Sequence, residues 1–227
     1  MSRIQEKDLP RIKIVGIGGG GCSIINHMLE APVPGVEYLT INTGQDARSL
    51  SKAAMKLQIG QEITHGHGAG GDAEIGRMAA EESRLQIADA VGSCDVLVLV
   101  TCLGRGTGTG ATPVIAEIAR KQRIFTIAVV TTPFGFEGTT QATRADTGLE
   151  ELKPSVDLLS IVPNNHYIQY ITNANITLSN AFALTDDVLE ELVKNMVYLT
   201  QKTVARKETQ FSLKKWMLGK CKKVTKT

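Results

Sequence analysis

Short runs of β-branched and aliphatic residues alternate along the chain with stretches whose apolar positions recur every three or four residues. Ile12-Lys13-Ile14-Val15 predicts a first buried strand, and residues 24–30 its helix. Tyr38-Leu39-Thr40-Ile41 predicts a second strand and Leu57-Gln58-Ile59 a short third. Residues 73–91 carry one continuous helical pattern. Residues 95–101, with Val96-Leu97-Val98-Leu99-Val100 at their centre, form an unbroken apolar run of the kind buried on both faces. A helix over 112–122, a strand over 125–130, a helix over 139–152 and a strand over 156–162 follow. Helical patterns near 165–171 and over 178–200 complete the body. Strand–helix alternation of this kind predicts an α/β fold: a doubly wound, mostly parallel sheet with helices on both faces and right-handed crossovers, ending in a core helix.

Composition narrows the picture. Apolar residues make up 42% of the 227 and charged residues 21%, which suits a globular core. Aromatics are only 4%, so that core rests on Ile, Val, Leu and Ala. The net charge of +2 is uninformative, but its placement is not: residues 202–227 carry eight Lys and one Arg against one Glu, leaving the remainder at −6. An acidic body with a basic tail predicts that the tail meets an anionic surface. Cys22, Cys94, Cys102 and Cys221 show no C-x-x-C spacing, which argues against a zinc site or a disulfide framework and suits a reducing cytosol. His65 and His67 lack further ligands nearby and read as loop residues. The polar residues 1–10 read as an extension without signal-peptide character, and no apolar run reaches the ~18 residues of a membrane span. The chain divides into this extension, a domain over 11–201 and the tail over 202–227.

Three glycine-rich segments stand at predicted strand ends, where doubly wound sheets bind ligands. They are Gly16-Ile17-Gly18-Gly19-Gly20-Gly21, Gly66-His67-Gly68-Ala69-Gly70-Gly71 and Gly104-Arg105-Gly106-Thr107-Gly108-Thr109-Gly110. Without a Cβ, backbone N–H groups approach an anion closely, and two of the segments lead into helices whose N-termini favour phosphate. One such segment is as often a tight turn; three on one sheet edge predict a polyphosphate cradle. No G-x-x-x-x-G-K-[ST] occurs, which excludes a P-loop NTPase. Residues 16–21 satisfy G-x-G-x-x-G, but the second strand ends in Asn42-Thr43-Gly44 rather than in a ribose-binding acid, which leaves a dinucleotide-dependent enzyme as a remote alternative.

Gly104 to Gly110 resembles the G-G-G-T-G-[TS]-G signature of the tubulin/FtsZ family, and other segments agree in order. Residues 14–21 resemble its first phosphate loop, Asn42-Thr43 its N-T-D segment, and Gly68-Ala69-Gly70 its G-A-G loop. Thr131-Thr132-Pro133-Phe134-Gly135-Phe136-Glu137-Gly138 resembles its ribose loop. Pro163-Asn164 and the segment from Asn180 through Phe182 to Asp187 resemble its guanine-reading parts. The resemblance covers roughly residues 11–200 and is nearer to FtsZ than to tubulin. It implies the Rossmann-like nucleotide-binding domain of that family, with GTP or GDP as ligand and magnesium as an allowed companion. Gly19, Gly20 and Gly21 would wrap the α- and β-phosphates. Gly70, Gly71 and the loop from Gly104 through Arg105, Gly106, Thr107, Gly108 and Thr109 to Gly110 would hold the β- and γ-phosphates. Asn42 joins the same site, Glu137 would bond the ribose with Gln141 beside it, and Asn164, Phe182 and Asp187 would read the base. Read as ordinary residues, Asp187 is a solvated helix position and Phe182 a core anchor.

The chain also departs from that family. Arg105 replaces a glycine, which either adds a cation to the γ-phosphate or perturbs the loop by its bulk. Ser23 stands where Asn is usual, Gly44 where Asp is, and Gln141 where FtsZ has Arg. After the last helix, Lys202-Thr203-Val204-Ala205-Arg206-Lys207-Glu208 lacks the acid pair of N-x-D-x-x-D, and the family's second domain is not found in the sequence. The resemblance therefore implies a GTP-binding cytoskeletal domain of a bacterial cytosol, linked to division or membrane remodelling. Its hydrolysis would be weak or dependent on a partner subunit, with no catalytic residue assigned within the chain. The alternative is a GTPase that polymerises through an unfamiliar contact. The partners implied are full-length FtsZ or a second copy, with no nucleic acid. In the tail, Leu213, Trp216, Met217, Cys221 and Val224 share a helical arc, and Lys214, Lys215, Lys222 and Lys223 lie mostly elsewhere. That pattern predicts a surface-lying helix on an anionic inner-membrane face, against the alternative of a disordered or packed tail.

Overall fold

A computed structural model describes residues 10–166 and 178–204. Six strands, β1 (Ile12–Ile17), β2 (Val36–Asn42), β3 (Met55–Gln58), β4 (Val96–Cys102), β5 (Phe125–Thr132) and β6 (Leu158–Pro163), form one sheet. Every neighbouring pair is parallel, and the order is β3-β2-β1-β4-β5-β6. The doubly wound reading holds, and the sheet is wholly parallel. The helices are α1 (Gly18–Met28), α2 (Gln45–Leu50), α3 (Gln61–Thr64), α4 (Ala73–Glu82), α5 (Arg84–Val91), α6 (Gly106–Lys121), α7 (Thr139–Leu152) and α8 (Leu178–Val204).

The side-chain alternation of a strand sorts the apolar residues to two faces. Ile12 and Ile14 of β1, Val96, Val98 and Val100 of β4, and Ile127 and Val129 of β5 pack with Ile24, Ile25 and Met28 of α1 and Leu189, Val193 and Val197 of α8. Val15 and Ile17, Leu97 and Leu99, and Ala128 and Val130 pack on the opposite face with Ala79 and Ala80 of α4, Ile87 of α5, Ile115 of α6 and Leu149 of α7. Burial on both sides explains the unbroken apolar run of β4, each such side chain contributing about 1.5–3 kcal/mol. Lys13 is the one buried charged residue among the described residues. Its buried side chain reaches the end of the sheet, where Nζ donates to Ala90 O at 2.7 Å and Ser93 Oγ at 3.1 Å and lies 3.2 Å from Glu37 Oε2.

Three differences from the sequence reading bear on how the helices pack. The pattern over 73–91 is two helices, because Ser83 leaves helical geometry and its Oγ accepts the Gly60 N–H at 2.9 Å. Helices α1 and α6 start inside the glycine segments, at Gly18 and Gly106, rather than beyond them. Poor helix propensity is outweighed there by close packing: a Cβ on Gly110 would stand 1.8 Å from Ala73 O of α4, and one on Gly108 2.5 Å from Thr101 Oγ1 of β4. The short helices α2 and α3 have too few residues to show a period. Most of the helix expected over 165–171, and the tail with Lys214, Lys215, Trp216, Lys222 and Lys223, lie outside the described residues. Among the described residues no helix is long and apolar enough to cross a membrane.

Because α6 touches α4 backbone to side-chain-free backbone, Gly110→Ala should force the two helices apart. Urea unfolding should show a loss of about 1–3 kcal/mol or more, and an unchanged midpoint would refute this account of the packing.

Candidate functional site

The sheet order reverses between β1 and β4, so their carboxyl ends open a crevice. Strand β1 passes directly into that crevice as Gly18-Gly19-Gly20, and β4 passes through Leu103-Gly104-Arg105 to Gly106. Helices α1 and α6 begin there with no side-chain cap on their first N–H groups and no acidic residue in their first turns. A helix start leaves about four N–H groups without intrahelical partners, and its dipole adds positive potential. Two such starts face one cavity of about 780 Å³. They are held together tightly: a Cβ on Gly18 would come within 2.9 Å of Gly108 N, and Thr43 Oγ1 and Thr107 Oγ1 share a hydrogen bond of 2.7 Å.

Gly19 is the informative glycine. A Cβ there would meet nothing within 4 Å, and its φ is not left-handed, so the fold does not require glycine at this position. What glycine leaves open is the approach of a ligand to the first N–H groups of α1. Gly70 and Gly71 also face open space, but positive φ values of 58° and 80° account for them.

Of the residues singled out from the sequence, Gly19, Gly20, Asn42, Gly71, Arg105, Gly106, Thr107, Gly108, Glu137, Asn164 and Phe182 line the cavity. Gly21, Gly70, Gly104, Thr109, Gly110, Gln141 and Asp187 do not. Gly21 is on the sheet-facing side of α1, where a Cβ would strike Val100 O at 2.4 Å. Thr109 Oγ1 accepts the Gly104 N–H at 2.8 Å and so braces the loop from behind. Gln141 backs against Gly104, its carbonyl 3.0 Å from where a Cβ would stand.

Asp187 requires the largest correction. On α8 it turns away from the cavity, and its Oδ1 lies 3.5 Å from His27 Nδ1 of α1. The cavity is lined instead by Asp186. Helical geometry gives the reason: Asp186 is four residues after Phe182 and shares its face, whereas Asp187 is rotated a further ~100°. The same spacing brings Ser23 into line with Gly19 on α1, and Ser23 Oγ donates to Asp186 Oδ2 at 3.3 Å. Burial pushes the Asp186 carboxyl up to about 6, opposed by the Ser23 hydroxyl and the nearby His27 and reinforced by the charge of Asp187. A half-buried carboxylate in this position gains from further N–H donors.

The rest of the wall is polar and partly unsatisfied. Asn164 is buried and lines the cavity, and its Oδ1 has no hydrogen-bond partner among the described residues. Asn42 is less available, since its Oδ1 accepts from the N–H groups of Thr43 at 2.8 Å and Gly44 at 3.4 Å. Phe134 stacks on Phe136 at 4.8 Å between ring centroids and meets Phe182 edge-on at 5.3 Å, so Phe182 has an aromatic support. Glu137 Oε1 accepts the Phe134 N–H at 2.9 Å, and its Oε2 lies 3.5 Å from Arg105 Nη2. Arg105 has extended backbone (φ −110°), so this non-glycine residue leaves the loop intact, while Gly104 alone takes the positive φ of 103°. Its side chain stands exposed at the cavity mouth. Cys102 also lines the cavity, its thiol pushed up to about 11 by burial and so uncharged.

The arrangement suits an extended anion against the two helix starts, joined to a planar group that donates hydrogen bonds toward Asp186 and Asn164. Gly19→Ala separates these roles from stability. Ala should raise or preserve helix stability by up to ~1 kcal/mol, while calorimetric titration with GDP should show at least tenfold weaker binding. Unchanged affinity would remove Gly19 from the site.

Residues 11–172 match the model of a family described as Tubulin/FtsZ family, GTPase domain. An empty FtsZ dimer from M. jannaschii is 39% identical with TM-score 0.81, the match covering 85% of this chain and 56% of that one. A mutant FtsZ from the same organism is 38% identical with TM-score 0.82, covering 87% and 59%. A GDP-bound CetZ1 monomer from Haloferax volcanii shares the fold, at 22% identity and TM-score 0.72, covering 85% and 60%. The chain thus spans little more than half the length of these structures.

Proposed function

The chain belongs to the tubulin/FtsZ family, and on that premise we propose that its cavity binds GTP and GDP. The observation that carries this reading is the meeting of two helix N-termini without side-chain caps in one cavity that Asp186 and Asn164 also line. The first turn of α1, with Gly19 and Gly20, takes the α- and β-phosphates. The first turn of α6, with Gly106, Thr107 and Gly108, takes the β- and γ-phosphates together with Gly71. Arg105 is placed to approach the triphosphate from the mouth, and magnesium carried in with the nucleotide would share that charge. Glu137 has lone pairs left for a ribose hydroxyl. Phe182 stacks on the base, and Asn164 accepts from it.

Asp186 sets the choice of base. Guanine offers N1–H and a 2-amino group side by side, and a carboxylate accepts both. Adenine has no such donor pair. Titration calorimetry should find GDP preferred to ADP. Asp186→Asn should weaken GDP by about 1.5–3 kcal/mol, and by at least ten times more than Asp187→Asn does. Equal affinity for ADP and GDP would overturn the guanine assignment.

Turnover is a separate matter. Phosphoryl transfer depends on positioned charge and an oriented water, and the sequence that follows α8 holds no acid pair. We therefore expect the 227-residue chain alone to bind GTP and hydrolyse it slowly. The exposed phosphate-bearing face would accept the acidic loop of a full-length FtsZ or of another copy; the FtsZ dimer structure supports association of this general kind. Phosphate release at saturating GTP should be orders of magnitude below that of a full-length FtsZ measured alongside, and should rise when the two are mixed. Equal turnover by the chain alone would defeat this reading.

A further inference from the structure

Outside the cavity, α1 and α8 are joined by a second polar contact one helical turn from the first. Ser23 meets Asp186; four residues on, His27 faces Asp187 and Glu190. His27 Nδ1 lies 3.5 Å from Asp187 Oδ1 and 3.1 Å from Glu190 Oε2, and the three ligating atoms all lie within 4.8 Å of one another. The Nδ1 atom is enclosed, and among the described residues it makes no well-aligned hydrogen bond although both carboxylates stand within ion-pair distance.

Lys194 offsets part of the charge of Glu190, and a divalent ion held by all three groups would offset the rest. Four-coordinate sites with metal–ligand bonds of ~2.0–2.2 Å place neighbouring ligand atoms about 3.3–3.6 Å apart, and the two distances to His27 fall at or just below that range. The charges favour a cation: two carboxylates face the imidazole, and Lys194 meets only the far oxygen of one of them. His27 lies in the last turn of α1, where the helix dipole favours positive charge. The other oxygen of Glu190 is occupied by Lys194 Nζ, which orients the carboxylate and leaves Oε2 toward His27.

We infer that His27, Asp187 and Glu190 form a site for a borderline transition ion such as Zn²⁺, with three protein ligands and a fourth position open to water. One nitrogen and two oxygen ligands favour such ions over Mg²⁺ or Ca²⁺. The ion would clip the C-terminal turn of α1 to α8. The site stands apart from the nucleotide cavity and does not rest on the reading of it.

Cobalt titration of the metal-free full chain tests this directly. Co²⁺ should give the visible ligand-field absorption of a four-coordinate site at one equivalent, displaced by Zn²⁺, and Zn²⁺ should raise the melting temperature by linkage. His27→Gln should weaken the metal at least tenfold and remove the thermal shift, with folding checked by circular dichroism. Should that variant fail to fold, Asp187→Asn, at an exposed position, should show the same loss. Equal binding by wild type and both variants would place the metal on other histidines or cysteines. No binding at 100-fold molar excess of Zn²⁺ would leave the three side chains as an ion-pair cluster without a metal. Either result overturns the proposal.

Discussion

Two helices cannot begin side by side unless neither carries side chains where they meet. Gly18 of α1 and Gly108 of α6 satisfy that constraint, and much else in the site follows from it. Their approach is set by the reversal of strand order between β1 and β4, which a parallel sheet with helices on both faces produces at one place only. The approach also has an electrostatic cost, since both helices direct the positive end of their dipoles into the same space. No carboxylate caps either start. The crevice therefore gathers free N–H donors and two positive helix ends, and the fold's least comfortable feature is the one that suits an anionic ligand.

The strands and the glycine segments were legible because each obeys a local rule. Continuous apolar runs signal burial on both faces, and clustered glycine signals close backbone approach. Less legible were features decided by tertiary contact. The start of α6 was hidden because glycine reads as a loop until α4 and β4 are seen pressing against it. Ser83 broke one helical pattern into two through a bond to Gly60, twenty-three residues away. Asp186 and Asp187 are chemically the same, and only the helical phase fixed by Phe182 and by the packing of Leu189, Val193 and Val197 distinguishes them. That phase is present in the sequence as the four-residue spacing from Phe182.

Of the departures from the family pattern, Arg105, Ser23 and Gly44 line the cavity and Gln141 does not. Arg105 occupies a position whose backbone any residue can adopt, and its guanidinium faces Glu137. Gln141 packs behind Gly104 rather than beside the cavity. Ser23 contributes a hydroxyl to Asp186 where a longer side chain would reach further into the crevice. The inner glycine framework, where a Cβ would collide, is unaltered.

One further contact joins distant parts of the molecule. Arg144, from the middle of α7, donates to the carbonyl of Gly71 at 2.8 Å. The Gly70–Gly71 turn has no side chains of its own with which to hold a position, so this guanidinium acts as its tether. A tether transmits in both directions. Any displacement of the turn draws on α7, and any load borne by α7 at the outer surface is delivered to the turn, giving the molecule a mechanical line between its rim and its crevice.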